Sequence, residues 1–293
     1  MLWLGERRGY LSDWITQQWV RATGRSLDDH PHLLGPVGTR RRIGFDQPEQ
    51  LADALNLTLD TSPSGGLLQD SAALFPGIHP RVAEFYDETS RYELQVWSSW
   101  RGPFRPFGQL LGALFSRRLE QMNVPLDGLD TAWGLHGEVT HLRDPSGQVQ
   151  YTVWRRRLRR TGRVLFVGYY SEVTLPDGPG VRIVFPLPGG NLTVLMAATV
   201  GPAGELQLSS HGRTFGGAGG YFTLAGPPHR RAVGRMIPLH EDIVVWVDER
   251  SELRARHTLR LWHLHFLELQ YLMRRTDQTA APTVNEQPTP ARR

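Results

Sequence analysis

The side chains in this sequence best suited to proton transfer gather near its end. His240 is followed directly by Glu241 and Asp242; His257, His263 and His265 come next, with Glu268 three residues beyond. A histidine beside a carboxylate can act as an acid–base pair near neutral pH. His240 or His257 with Glu241 or Glu268 is therefore the candidate catalytic set. If residues 257–265 are extended, the three histidines share a face and Glu268 could complete a nitrogen-and-oxygen metal site. A helix starting at His263 would separate them. No His-Glu-x-x-His spacing occurs, so no metal is assigned.

A second candidate is WRRRLRRTGR, residues 154–163, with six arginines in ten positions. On a strand, Arg155, Arg157 and Arg159 point one way, and Trp154, Arg156, Leu158 and Arg160 the other. Such a ribbon could bind phosphates, with Trp154 stacking on a base. A solvated strand end, its arginines discouraging edge pairing, is the plainer reading. The net charge of +4 does not announce a nucleic-acid partner.

The glycine-rich run HGRTFGGAGGYF, residues 211–222, raises the question of a phosphate cradle. It lies between two strand candidates, has no G-x-G-x-x-G spacing, and is followed by no Lys-Ser or Lys-Thr. A cradle needs the donors of a helix N-terminus behind it. A bulged connection at a barrel rim is expected instead.

Absences narrow the chemistry further. There is no cysteine, which removes disulfides, thiolate metal sites and a cysteine nucleophile. No lysine occurs either, so all 33 basic residues are arginine, and a phosphate-binding lysine or a Schiff base is excluded. No G-x-S-x-G elbow surrounds any serine. Glu84, Asp87 and Glu88 read as a solvated helix face. No cofactor is called for.

With 28 aromatic residues, a pocket for a flat or apolar molecule is a further possibility. The residues selected to line it are Trp97, Trp100, Phe107, Arg117, Tyr151, Tyr169, Phe185 and Trp246, in a barrel of about eight strands, which either fills itself with such side chains as core or holds one small ligand. Arg105, Arg117 or Arg182 would meet an acidic headgroup.

The elements that must position these groups follow from periodicity. Residues 1–128 read as a helical region. Val82, Phe85, Tyr86, Thr89, Glu93, Val96 and Trp97 recur at helical spacing after Pro80, and Phe107 to Met122 repeat the pattern. Beyond about residue 130 the period becomes two, with turn signals roughly every ten residues. Residues 129–275 are expected to form an antiparallel meander barrel or strongly curved sheet of about eight to ten strands. HLHFLELQYLMRR, residues 263–275, returns to helical spacing and closes it as a C-terminal helix, and 276–293 reads as a disordered tail. The fold class is α+β.

No apolar run reaches the roughly 18–20 residues of a membrane helix. Glu6, Arg7 and Arg8 interrupt any secretory leader, so a cytoplasmic location is expected. At HPRVAEFYDETSRYELQVWSSW, FRPFGQLLGALFSRRLEQMNVPL, RVLFVGYYSEV, VFPLPGGN and HTLRLWHLHFL the chain resembles a group of uncharacterised proteins from high-GC bacteria, over roughly residues 79–275. The resemblance implies no activity. The reading the sequence favours is a binder of a small apolar or amphipathic ligand held between a helix pair and a concave sheet. An enzyme using a His and carboxylate pair, and an arginine-mediated binder of nucleic acid or an anionic surface, are the alternatives.

Overall fold

The computed structural model describes residues 2–5, 7–38, 43–62, 65–102, 104–111, 121, 135–226 and 231–278. In chain order the N-terminal part holds helix α1 (Leu11–Thr23), the two-residue strand β1 (Arg25–Ser26), α2 (Ile43–Leu55), β2 (Thr58–Asp60), α3 (Ser71–Leu74) and α4 (Pro80–Asp87). Strand β3 (Tyr92–Trp100) and helix α5 (Phe104–Leu111) come next. The remainder is strand: β4 (Leu135–Arg143), β5 (Val149–Leu158), β6 (Val164–Leu175), β7 (Gly178–Leu187), β8 (Gly190–Val200) and β9 (Leu206–Ser209). β10 (Gly219–Leu224), β11 (Val233–Ile237), β12 (Leu239–Val247), β13 (Leu253–Leu261) and β14 (Leu264–Arg275) complete the set.

Ten of these strands close into an antiparallel barrel in the order β8-β7-β6-β5-β4-β3-β14-β13-β12-β9, and the ring is completed where β9 returns to β8. β8 is long enough to serve two partners. Its residues 190–195 pair with β10 and its residues 197–200 with β9, so β10, β11 and β1 peel away as a flap. Short reversals set the antiparallel order. The Asp144 turn is typical: Oδ1 accepts from the backbone N–H of Ser146 at 2.9 Å and of Gln148 at 3.0 Å, and Gly147 takes φ 86°.

Residues 211–218 of the glycine-rich run connect β9 to β10, and residues 219–222 begin β10. The connection wraps the fully buried Tyr221, whose hydroxyl accepts from Gly216 N–H at 3.2 Å and donates to the Gly217 carbonyl at 2.8 Å. No helix follows it.

One end of the barrel is filled by α3 and α4. Phe75, Val82, Phe85 and Tyr86 pack among inward residues such as Tyr92, Leu94, Val139 and Trp154. Phe85 meets Tyr86 and Tyr92 edge-on at 5.3 Å each, and Trp154 at 6.4 Å. α4 begins as its sequence dictates: His79 Nδ1 accepts from Arg81 N–H at 3.2 Å, and Pro80 occupies the first turn where it needs no donor. Outside the wall, α2 covers β5 and β6, burying Ala52 against Val153, Val164 and Val167.

Two segments expected to be helical are strands. The helix from Pro80 stops at Asp87; after a short turn at Thr89–Arg91 the chain becomes a barrel stave, with Tyr92, Leu94 and Val96 buried. Those apolar positions fit periods of both two and 3.6, and pairing with β14 along nine residues selects the strand. Residues 264–275 are likewise a stave, with Leu267, Leu269 and Met273 in the core, so strand pairing rather than a C-terminal helix closes the wall. An extra residue there, where the β13–β14 register shifts beside Leu259 and Arg260, disguises the alternation. Of the second proposed helix, 104–111 is helical, and residues 112–120 and 122–134 lie outside the described residues, as do 279–293.

Candidate ligand site inside the barrel

Alternation along β5 turns Trp154, Arg156 and Leu158 to the inside and Val153, Arg155 and Arg157 to the outside. Both neighbouring strands place glycine opposite the bulky inner residues. Gly137 of β4 pairs with Arg156 and Gly168 of β6 with Trp154. A Cβ on Gly137 would stand 2.9 Å from Trp154 Nε1, and one on Gly168 would stand 2.9 Å from the Tyr170 ring. The two glycines therefore make room for the rings that surround Arg156.

The Arg156 guanidinium lies 3.6 Å from the Trp154 ring centre, 4.3 Å from that of Phe166 and 5.6 Å from that of Tyr271. It is 8% exposed, and its Nε has no hydrogen-bond partner. Among the described residues no carboxylate comes within ion-pair distance of it. Its charge is felt nearby. Burial pushes the Tyr170 hydroxyl up to about 12, with Arg156 drawing it back down and Tyr271 and Glu241 adding to the rise. Burial also raises Tyr86, again with Arg156 acting in the opposite sense.

Also on the inner face, His257 of β13 and Glu241 of β12 meet, Nε2 to Oε2, at 2.8 Å, with side chains 16% and 12% exposed. Both belong to inward rows: His257 pairs with Leu269, and Glu241 with Leu259, which packs on the barrel core. Half-buried Phe166, Phe185, Phe222, Ile237 and Phe266 pack against that core, away from α4. The inner wall thus has an apolar floor, a polar band of Arg156, Tyr170, Tyr271, Glu241 and His257, and an aromatic upper part.

Of the residues expected to form a catalytic pair, His257 and Glu241 are brought together. His240 lies on the opposite face of β12, stacked on His211 at 4.5 Å. Glu268 sits on the outer face too, 3.9 Å from Arg101 and accepting from Gln270 Nε2 at 2.9 Å. Neighbouring positions on a strand face opposite ways, which parts His240 from Glu241. An outer groove of about 460 Å³ is lined by Asp242, Arg256, Arg260 and Glu268 among others. Its Asp242 is already engaged by Ser209 Oγ at 2.7 Å, His211 at 3.2 Å and Arg260. No cluster of three or more His, Asp or Glu side chains suited to a metal ion occurs among the described residues.

Of the expected pocket residues, Trp100 and Phe185 pack on the barrel core, with Trp100 6.2 Å from Phe266 and Phe185 5.9 Å from Phe166. Trp97 is 49% exposed on the outer face. Tyr151 and Tyr169 pack together under α2, where the Tyr169 hydroxyl bonds Gln47. Trp246 pairs with Arg254 between the inward positions Val245 and Val247, and so faces outward. Phe107 falls on α5, and Arg117 lies outside the described residues. Arg105 is exposed on α5, while Arg182 is spent on the carbonyls of His32 and Leu34. Sequence reasoning missed Arg156 as a site residue, and the one signal for it was its shared strand face with Trp154; Tyr170 is among the strand aromatics that could line a cavity, although the selection keeps Tyr169.

The outer arginines are matched by carboxylates: Arg155 by Glu49 at 2.5 Å, Arg157 by Glu138 at 3.1 Å, and Arg159 by Glu93. No described helix is long and apolar enough to cross a membrane. No family model, curated protein or solved structure matches the chain, so the reading of function rests on this geometry.

Proposed function

We propose that the protein binds a small amphipathic molecule inside the barrel. The observation that carries this reading is the polar band set between an apolar floor and half-buried aromatic rings, centred on the Arg156 guanidinium. A barrel of this size can enclose one small ligand, and a few polar groups in an apolar wall are what fix a ligand's orientation. The site differs from the one expected between two helices and a sheet, because α4 plugs the barrel and the wall supplies the lining. A cytoplasmic location belongs to the same proposal. The test is titration with N-phenyl-1-naphthylamine, an uncharged fluorophore that brightens in apolar surroundings. One saturable site per chain is expected; a linear, unsaturable response would remove the reading.

A second reading is supported by the His257–Glu241 contact at 2.8 Å. A carboxylate-oriented imidazole on the inner face of the barrel can move a proton at a carbonyl-bearing substrate. Hydrogen–deuterium exchange at the α-carbon of a cyclic ketone, followed by NMR, should run faster with the wild type than with His257→Gln. Equal rates in the two proteins would rule it out. A nucleic-acid reading of the outer arginine row draws no support from three side chains that already face Glu49, Glu138 and Glu93.

A further inference from the structure

A buried guanidinium must be compensated. Desolvating an isolated cation costs several kcal/mol after relaxation, and stacking on aromatic faces returns only about 2 kcal/mol when desolvated. Arg156 has the stacking, on Trp154 at 3.6 Å and Phe166 at 4.3 Å, but no carboxylate at ion-pair distance among the described residues. Its neighbours on the outer face, Arg155 and Arg157, each have one. The single carboxylate of the polar band, Glu241, is held by His257 at 2.8 Å. The Arg156 guanidinium therefore sits inside the barrel with no anion at ion-pair distance among the described residues.

We infer that the ligand carries one negative charge, a carboxylate, and that Arg156 receives it. This inference rests on the ligand-binding reading above and specifies the class of molecule: an amphipathic carboxylic acid whose apolar part lies along Phe166, Phe185 and Phe222. Arg156 donates to the carboxylate, and Tyr170 and Tyr271, whose hydroxyls share its surroundings, are placed to donate beside it. A phosphate dianion is disfavoured, because Glu241 is near enough to oppose ionisation of Tyr170 and repels a second negative charge in the same way.

The experiment displaces bound N-phenyl-1-naphthylamine with dodecanoate, dodecanol, dodecyl phosphate and 2-naphthoate at pH about 8, where the acids are ionised. For the wild type, dodecanoate is expected to compete about ten- to a hundredfold better than dodecanol, the range of a charge-assisted hydrogen bond, and better than dodecyl phosphate. The relative strength of dodecanoate and 2-naphthoate tells a chain acid from a ring acid. In Arg156→Met the advantage of acid over alcohol should vanish while dodecanol keeps its wild-type strength. The wild-type ratio stands even if that variant does not fold. Equal competition by dodecanoate and dodecanol, tighter binding of the phosphate, or an acid preference surviving in a folded Arg156→Met protein would each overturn the inference. Failure of the fluorophore and of all four competitors to bind would instead remove the ligand-binding reading beneath it.

Discussion

Gln121 offers a sharp test of how the barrel wall is held together. The ladder between β6 and β7 runs from Leu175↔Gly178 to Tyr169↔Val184 and stops. Two positions further along this register Val167 would face Pro186, but proline has no N–H to give. The fully buried Gln121 side chain takes the vacated place. Its Oε1 accepts from Val167 N–H at 2.9 Å, and its Nε2 donates to the Val167 carbonyl at 2.9 Å and the Pro186 carbonyl at 3.4 Å. Gln121→Met keeps the length and removes all three bonds. The two shorter bonds contribute about 1 kcal/mol each, and leaving the Val167 N–H buried without an acceptor adds about 1–2 kcal/mol, for a total near 3 kcal/mol. In a chain of this size that lowers the melting temperature by roughly 6–12 °C.

Thermal unfolding by circular dichroism reads the melting temperature, and amide exchange in a peptide spanning residues 164–168 reads the local effect. Gln121→Glu separates hydrogen bonding from shape. Its carboxylate still accepts from Val167 but faces two carbonyl oxygens, so its folded pKa is raised. The variant should be stable at low pH and lose stability as pH rises through that value. A Gln121→Met protein melting within about 1 °C of the wild type, with unchanged exchange at Val167, would refute the account, since a loss of this size cannot hide in that interval.

Three further outcomes follow from the same structure. The Asp242 carboxyl is held below its ordinary range: burial works against it, but Ser209, His211 and Arg260 prevail. Its contribution is present above pH about 4 and lost as pH falls through the lower folded value, so wild-type stability should drop more between pH about 5 and about 2 than that of Asp242→Asn. Burial raises Tyr86, Tyr92, Tyr169, Tyr170 and Tyr221, Tyr92 and Tyr170 to about 12. Their stabilising effect is full below pH about 10 and fades as pH climbs to the folded values; phenolate absorbance showing all eight tyrosines ionising together near pH 10 would contradict it. For the Arg155–Glu49 pair, with side chains 8% and 45% exposed, Glu49→Gln should cost about 1 kcal/mol in urea unfolding. Arg155→Met should be close to neutral because both the buried charge and its desolvation penalty go together.

The barrel was legible in the sequence because hairpin turns and period-two runs are local signals. Val181, Ile183 and Phe185 in β7, or Val245 in β12, lie in or against the barrel core as such runs require. What a single strand does not carry is which of its faces becomes the inside. Tyr169 and Tyr170 are adjacent and both apolar in outline, yet Tyr169 packs under α2 while Tyr170 packs in the barrel core. Trp97 and Trp246 failed for the same reason. A stave covered by helix on one side and core on the other has two apolar faces, and only its partners' positions decide between them. The histidines show the converse. His257 and Glu241 are 16 residues apart in sequence, yet strands β12 and β13 bring them together, and adjacency in sequence misled for His240 and Glu241.

The arginine run shows how the wall assigns such roles. Both faces of β5 carry guanidinium groups, so charge alone could not say which row was buried. The outer row found Glu49, Glu138 and Glu93, each on a different neighbouring element. The inner row found rings instead, because Gly137 and Gly168 opposite it leave space that any larger residue would fill at the expense of Trp154 and Tyr170. A glycine in a strand interior costs conformational entropy and weakens the ladder. Two of them, opposite Arg156 and Trp154, are understandable where the wall must hold a cation stacked among rings. Replacing either would close that space from the wall side without touching the charge, so Gly168→Ala should impair anion preference through displacement of Tyr170 while leaving Arg156 in place.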